Sequence, residues 1–380
     1  MPSQILNRLY PDSTCFNRCL FLLAAVSFIG ILTVLSGGNQ AIPHPILNTK
    51  SLRKVNAYLA RVDLNETNVR THRGYVPLNK VNEEVFKKFS YEIIEASIPV
   101  PTLRMTKEPS CADVFAEYLI KTSASHPVVP PKIFQKVYTD LFLLNGYAAF
   151  DEWYFNDQPI KRDAPRNWSR ITEYMTYTKQ ELGELAYKKE SESMYHAMAE
   201  YELKGKHGFV VGSTRPWVEV MALKHGAKEI LTIESNPIKI QREFKGRLSS
   251  VDPVKFAEQW KMYAGKYDFA ASFSTIEHFG LGRYGDPIDP IGDLREMLKI
   301  RCTLKKGGIF FLGLPIGMDA LQFNAQRIYG SMRLAMLLYG FDWIATYSGD
   351  SEQPIDLNWA LLNSKKVYEV TRYTLALRKI

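Results

Sequence analysis

The 380-residue chain is poor in cysteine and histidine, with four and seven, and no metal-ligand cluster of usable spacing is evident among them. It contains no Asp-x-Asp, the pair that commonly holds a divalent ion in nucleotide-sugar enzymes, so a metal-dependent glycosyltransferase is disfavoured. It has no internal repeat and no long basic run. The 48 Lys and Arg against 40 Asp and Glu leave a net charge of +8, which reads as a mildly basic solvated surface. No nucleic-acid partner is expected, because no basic stripe with interleaved aromatics occurs. What is present is an ordinary globular composition, 46% hydrophobic, enough to bury one large α/β core with a smaller region before it.

Residues 207–234 read as strand, tight turn, helix, strand. Phe209, Val210 and Val211 form a short strand-like run ending at Gly212, where a missing side chain lets backbone approach a ligand. Pro216 suits a first helical turn, Val218, Met221 and Ala222 recur at helical spacing, and Gly226 ends the helix. Glu234 follows Gly212 by about twenty residues, the interval that puts a carboxylate at the tip of the second strand within reach of a ribose hydroxyl. The turn itself reads Gly212, Ser213, Thr214, Arg215 and lacks the G-x-G-x-x-G that seats a pyrophosphate, so a dinucleotide is disfavoured. S-adenosylmethionine carries no phosphate and needs less. The residues expected to hold it are Val211, Gly212, Ser213, Thr214, Glu234 and Ser235, with Ser274 and Thr275 from the next turn.

That next turn follows a buried strand at Tyr267–Phe273. Ligands of open α/β sheets collect beyond the carboxyl ends of the strands, which places Ser274, Thr275, Glu277 and His278 at the chemistry. A helix follows from about Asp289, then Lys305, Lys306, Gly307 and Gly308, then a strand over Ile309–Leu314. This order resembles the carboxyl half of a class I methyltransferase. More narrowly, Ser274–Pro287 together with FNAQRIYGSMRL at 323–334 is similar to a nematode-expanded family described as a Caenorhabditis protein of unknown function and grouped with those enzymes. The resemblance covers roughly residues 130–380. It implies a Rossmann-like α/β fold with helices on both faces and a seven-stranded sheet ending in an antiparallel hairpin, for which Trp343–Tyr347 and Val367–Leu377 are the late strands. The first turn departs from the class, where two or three glycines are usual.

The amino terminus differs in kind. Cys19–Leu35 carries no charge and continues through Gly38 to about the 30 Å of a bilayer core. Arg8 and Arg18 before it favour a cytosolic amino end. A cleaved signal peptide is the rival, but the run exceeds the usual apolar core of one. The predicted organisation is a cytosolic tail over 1–18, a transmembrane signal anchor over 19–38, a stem and N-terminal region over 39–130, and a methyltransferase-like domain over 131–380 in the secretory lumen, or secreted if the anchor is cleaved. Two sequons, Asn65-Glu66-Thr67 and Asn167-Trp168-Ser169, fit that placement. Cys15 and Cys19 sit where palmitoylation is possible, and a bridge between Cys111 and Cys302 is feasible in an oxidising compartment. Oligomeric state is not legible.

Methyl transfer to oxygen asks the protein for alignment and a base. His278 is the candidate base, because imidazole titrates near neutrality, with Glu277 as its substitute or as a partner of Arg283. Arg283, Tyr284 and Asp286 are candidate contacts for a polar acceptor. The aromatic residues Phe134, Tyr138, Phe142, Tyr147, Phe150, Trp153, Tyr154 and Phe155 read first as core and second as a stacking platform for a glycan. Two other readings stay open: a methyltransferase fold kept as a non-catalytic binding module, and a lumenal glycosyltransferase.

Overall fold

A computed structural model describes residues 64–380 apart from 66, 98–99, 125–128, 158–164, 365 and 367–368. The expected tail, the anchor at 19–38, Cys15, Cys19 and Glu66 of the first sequon lie outside the described residues. Among the described residues no helix is long and apolar enough to cross a membrane.

Seven strands form the central sheet: β1 (His207–Val211), β2 (Glu229–Ile233), β3 (Leu248–Val251), β4 (Tyr267–Phe273), β5 (Leu304–Ile316), β6 (Phe341–Tyr347) and β7 (Thr371–Lys379). Their spatial order is 3-2-1-4-5-7-6. The first five are mutually parallel, β7 runs antiparallel to β5, and β6 antiparallel to β7. The terminal antiparallel hairpin implied by the class resemblance is therefore present. β1, β2 and β4 are covered on both faces, which is why they read as continuous apolar runs.

Alternation along each strand divides the core in two. Phe209 and Val211 of β1 point into one layer, with Leu231, Ala270, Phe310 and Leu312. That face is covered by α1 (Cys111–Ser123), α4 (Pro253–Glu258), α5 (Gly292–Thr303) and α6 (Ser331–Leu337), through Phe115, Phe256, Met297 and Met332 among others. Val210, Ile230, Ala271 and Phe311 point the other way, under α2 (Lys189–Glu200) and α3 (Trp217–Lys224), through Met194, Met198, Val218 and Met221. Helices thus lie on both faces, as expected.

The described residues between 64 and 130 pack onto the first face. Val69, Val81, Phe86 and Phe115 share its core, and Cys111 at the start of α1 is disulfide-bonded to Cys302 in the last turn of α5, with Cα atoms 5.8 Å apart. Much of the aromatic segment is core: Phe134 and Phe142 pack with Leu281, Leu321 and Phe323, and Tyr147 is buried. Its end is not. Ala149–Trp153 pairs in parallel with Ala320–Asn324, and Trp153 emerges 49% exposed.

Candidate functional site

The strand order reverses between β1 and β4, so their carboxyl ends bound the crevice in which ligands of such sheets bind. On the β1 side, Gly212 adopts φ 72°, a left-handed conformation that favours glycine. Its free side is filled: a Cβ there would lie 2.3 Å from Thr275 Cγ2. Sequence reading assigned the empty side of Gly212 to a ligand, and the structure gives it first to Thr275. Val211 ends β1, its carbonyl accepting from Ser272 Oγ at 3.1 Å. Thr214 is exposed, and its carbonyl accepts from Trp168 Nε1 at 3.4 Å.

Glu234 stands at the tip of β2. Its carboxylate accepts the amides of Ser213 and Asn236, each at 3.2 Å, tying the β1 turn to the β2 turn. Burial raises its pKa, and the amides of Asn236 and Ser213 oppose that rise. Each oxygen retains a lone pair for a further donor such as a ribose hydroxyl. Ser235 is exposed beside it. Arg166 donates to Asn236 Oδ1 at 3.1 Å, because the strand Arg166–Trp168 pairs with Ile238–Ile240 across this edge.

The β4 side carries the titratable groups. Ser274 sits at φ 51°, and its hydroxyl donates to Glu277 Oε1 at 2.6 Å. Glu277 is wholly buried, and its second oxygen, Oε2, has no hydrogen-bond partner. A buried carboxylate oxygen without a donor is costly and suits a ligand cation or hydroxyl. His278 Nδ1 lies 2.6 Å from the Ala325 carbonyl, which makes Nδ1 the protonated nitrogen of the neutral ring. The other nitrogen, Nε2, is therefore the acceptor, 3.9 Å from Glu277 Oε1. Burial lowers the His278 pKa below the usual 6.5, against the opposing pull of Glu277. The ring is neutral at pH 7.

An aromatic and cationic rim surrounds this pair. Tyr284, 48% exposed, meets the His278 ring edge-on at 5.7 Å. Arg283 is paired with Asp157 at 2.8 Å and lies over the rings of Phe155 and Tyr284 at 4.3 and 5.0 Å. Its partner is thus Asp157 and not Glu277, as one sequence expectation had it. Asp286 is turned into its own loop, accepting from the amides of Gly280 and Gly282 at 2.6 and 3.2 Å. This residue, expected among the acceptor contacts, closes its own loop. From β7, Arg372 reaches Ser274 Oγ at 3.4 Å and Glu190 at 3.3 Å, while lying over the Tyr187 ring at 4.7 Å.

Beneath the loop lies a buried ionic network that sequence reading missed. Arg327 donates to the carbonyls of Phe279 at 2.5 Å and Asp289 at 3.1 Å, with longer contacts to Glu277 and Pro290. Asp293 of α5 pairs with Arg333 and accepts from Tyr329 at 3.1 Å. Asp319 caps α6 by accepting the amides of Gly330, Met332 and Arg333. Arg327, Tyr329 and Arg333 all belong to the 323–334 segment quoted above, so that motif holds the His278 loop in place. Also missed is Glu219, whose signal was an acid inside the apolar run of α3.

Sheet order, switch point and carboxyl-edge turns together define a chain with a class I methyltransferase fold. Residues 205–380 match the family described as Caenorhabditis protein of unknown function, DUF268. Among solved structures, the chain is similar to a 1,6-didemethyltoxoflavin N1-methyltransferase from Burkholderia thailandensis with bound S-adenosylhomocysteine, at 16% identity over 49% of this chain and 78% of that one, with a TM-score of 0.35. It is also similar to a candidate S-adenosylmethionine-dependent methyltransferase from Listeria monocytogenes (11%, covering 50% and 97%, TM-score 0.32). A third likeness is to a candidate RNA methyltransferase from Pyrococcus horikoshii (15%, covering 50% and 82%, TM-score 0.30). No curated protein matches.

Proposed function

We propose that this protein binds S-adenosylmethionine at the carboxyl ends of β1, β2 and β4 and O-methylates a polar acceptor, a glycan or another molecule of the secretory pathway. The observation that carries the reading is the His278 tautomer, an imidazole with Nδ1–H on Ala325 and a free basic Nε2, at the mouth of the switch-point crevice. The residues fit the cofactor: Glu234 offers carboxylate lone pairs where a ribose would lie, and Glu277 Oε2 is a buried orphan suited to an ammonium group. When bound, the cofactor supplies an already activated methyl group. His278 Nε2 takes the acceptor hydroxyl proton, Glu277 steadies the imidazolium, and Tyr284, Phe155 and Trp153 offer flat apolar faces to a sugar ring. The Cys111–Cys302 disulfide and the exposed Asn167 of the second sequon support a lumenal placement, with the membrane as partner through residues 19–38.

The test is calorimetry of the full chain with S-adenosylmethionine, then a mass-spectrometric search for methyl groups lost from glycans and proteins in a knockout. His278→Ala is expected to reduce turnover by about two to four orders of magnitude and leave cofactor affinity nearly unchanged. Unchanged turnover removes His278 from the mechanism. Digestion of the domain by protease outside sealed microsomes overturns the lumenal placement. A second reading is favoured by Thr275, whose side chain fills the space over Gly212: a fold retained for binding. Tight cofactor binding without any methyl transfer would select it.

A further inference from the structure

Ser213 lies in the turn after β1 and is almost wholly buried. Its hydroxyl is 2.9 Å from the Arg215 carbonyl and 3.0 Å from Glu219 Oε2. A carbonyl is only an acceptor, and so is an ionised carboxylate. A serine hydroxyl has one hydrogen and cannot serve both. On the far side, Thr232 Oγ1 of β2 donates to Glu219 Oε1 at 2.8 Å. The count closes with one added proton on Glu219 Oε2, which then donates to Ser213 Oγ while Ser213 donates to Arg215.

We propose that Glu219 is a neutral carboxylic acid that positions the cofactor turn, and that losing its proton loosens the turn and weakens cofactor binding. This rests on the S-adenosylmethionine reading above. The path is short, since Ser213 bonds Glu219 through its hydroxyl and Glu234 through its amide. The surroundings agree. Glu219 is fully buried, and burial pushes its pKa up to about 7, with the Glu234 charge adding to the rise. Arg215 is turned to the Leu185 carbonyl, Arg166 to Asn236, and Lys224 of the same helix to the carbonyls of Met175 and Tyr177. Tyr195 gathers His196 and His225 at the helix end, in ring contact with each. Among the described residues no lysine or arginine pairs with Glu219. A serine and a buried acid thus hold a turn that more glycines shape elsewhere in the class.

The test is calorimetric titration of the full chain with S-adenosylmethionine from about pH 6 to about pH 8.5, beside Glu219→Gln, a neutral isostere of the acid form. Because only the protonated fraction is competent, affinity should fall by up to about tenfold for each pH unit above neutrality. The glutamine variant should keep the low-pH affinity. The ligand's own amine titrates alike in both proteins, so their difference reports Glu219. The same slope in both, or a glutamine variant weaker than the parent at low pH, overturns the proposal. Thr232→Val removes a donor that favours the anion and should move the decline to higher pH, which keeps the test open if the glutamine variant does not fold; an unmoved midpoint overturns it. Infrared difference spectra read the proton without any ligand: a protonated-carboxyl carbonyl band, absent from Glu219→Gln, should vanish as pH rises through neutrality. Absence of that band overturns the proposal. A titrating band with no cofactor binding at any pH overturns the coupling and the cofactor reading, while leaving the proton on Glu219.

Discussion

Replacing Arg327 by methionine isolates what holds the His278 loop. The guanidinium is buried and donates to four carbonyls between Glu277 and Pro290. Two of these have second donors, Asp289 from the Gly292 amide and Pro290 from Arg333. For the carbonyls of Glu277 and Phe279, Arg327 is the donor. Methionine fills similar volume but leaves both without one, at about 1–3 kcal/mol each. Asp293 loses a cation 3.7 Å away but keeps Arg333 and Tyr329, so the full cost of an unpaired buried carboxylate does not arise. The expected loss is about 3 kcal/mol, well beyond the ±0.5 of ordinary surface changes.

Urea denaturation measures this as a lowered midpoint at constant slope. Arg327→Lys should fall between, since one ammonium cannot reach carbonyls on both sides of the loop as a planar fork does. The same variants should lose turnover further than stability explains, because Glu277 and His278 lie on the loop that Arg327 braces. A loss under about 1 kcal/mol for the methionine variant, or a midpoint loss with normal turnover, would refute the assignment of this arginine to the loop.

Three further outcomes are expected. Burial lowers the His278 pKa below 6.5, so activity should persist as pH falls through 6.5 and decline only below it; the same depression makes this residue's contribution to stability present above the unfolded-state value and lost on acidification. A pH–rate profile with its acidic limb above 6.5 contradicts this. Gly212→Val should lower both thermal stability and S-adenosylmethionine affinity, because it strains a left-handed residue and strikes Thr275 Cγ2; a variant that melts and binds like the parent places the site elsewhere. Opening the Cys111–Cys302 bond by Cys111→Ser plus Cys302→Ser should cost about 2–4 kcal/mol in reversible denaturation, and equal midpoints with and without reductant would deny that the bridge forms in solution.

The sheet was legible where burial made it so. β1, β2 and β4 are short apolar runs covered on both faces, and the hairpin strands were found within a few residues, although the second begins at Thr371 rather than at Val367, which lies outside the described residues. β5 starts at Leu304, five residues before the expected Ile309. Lys305–Gly308 read as a turn because two lysines and two glycines stand together, the first three of them exposed, yet the strand runs through them. β3 was not read: Leu248–Val251 has two exposed serines and no apolar run. At the site, the turn residues followed from strand order alone. Their partners did not, because Asp157, Arg372 and Arg166 come from distant parts of the chain, and no local pattern marks them. Of the network residues, Arg327 and Arg333 were quoted as a motif, while their burial against Asp293 required the fold.

The single-glycine turn is explained by what surrounds it. A methyltransferase turn with several glycines leaves open backbone for a ligand; here the space over Gly212 holds Thr275, and Ser213 is locked to Glu219 and Glu234. The two side chains differ in firmness. Ser213 makes hydrogen bonds of 2.9 and 3.0 Å through its hydroxyl, whereas Thr275 Oγ1 reaches Gly212 and Phe273 carbonyls only at 3.5 and 3.4 Å, beyond the usual range for a hydroxyl donor. Thr275 is therefore the movable member. A rotation about its χ1 gives up little and is fast, but both of its branches, Cγ2 and Oγ1, lie within 2.7 Å of where a Gly212 Cβ would stand, so it shifts one branch and leaves the other. The turn is thus rigid at the Ser213 side that orients Glu234 and yielding at the Thr275 side that faces β4. That asymmetry lets one glycine serve a crevice in which a nearby acid, rather than further glycines, fixes the backbone.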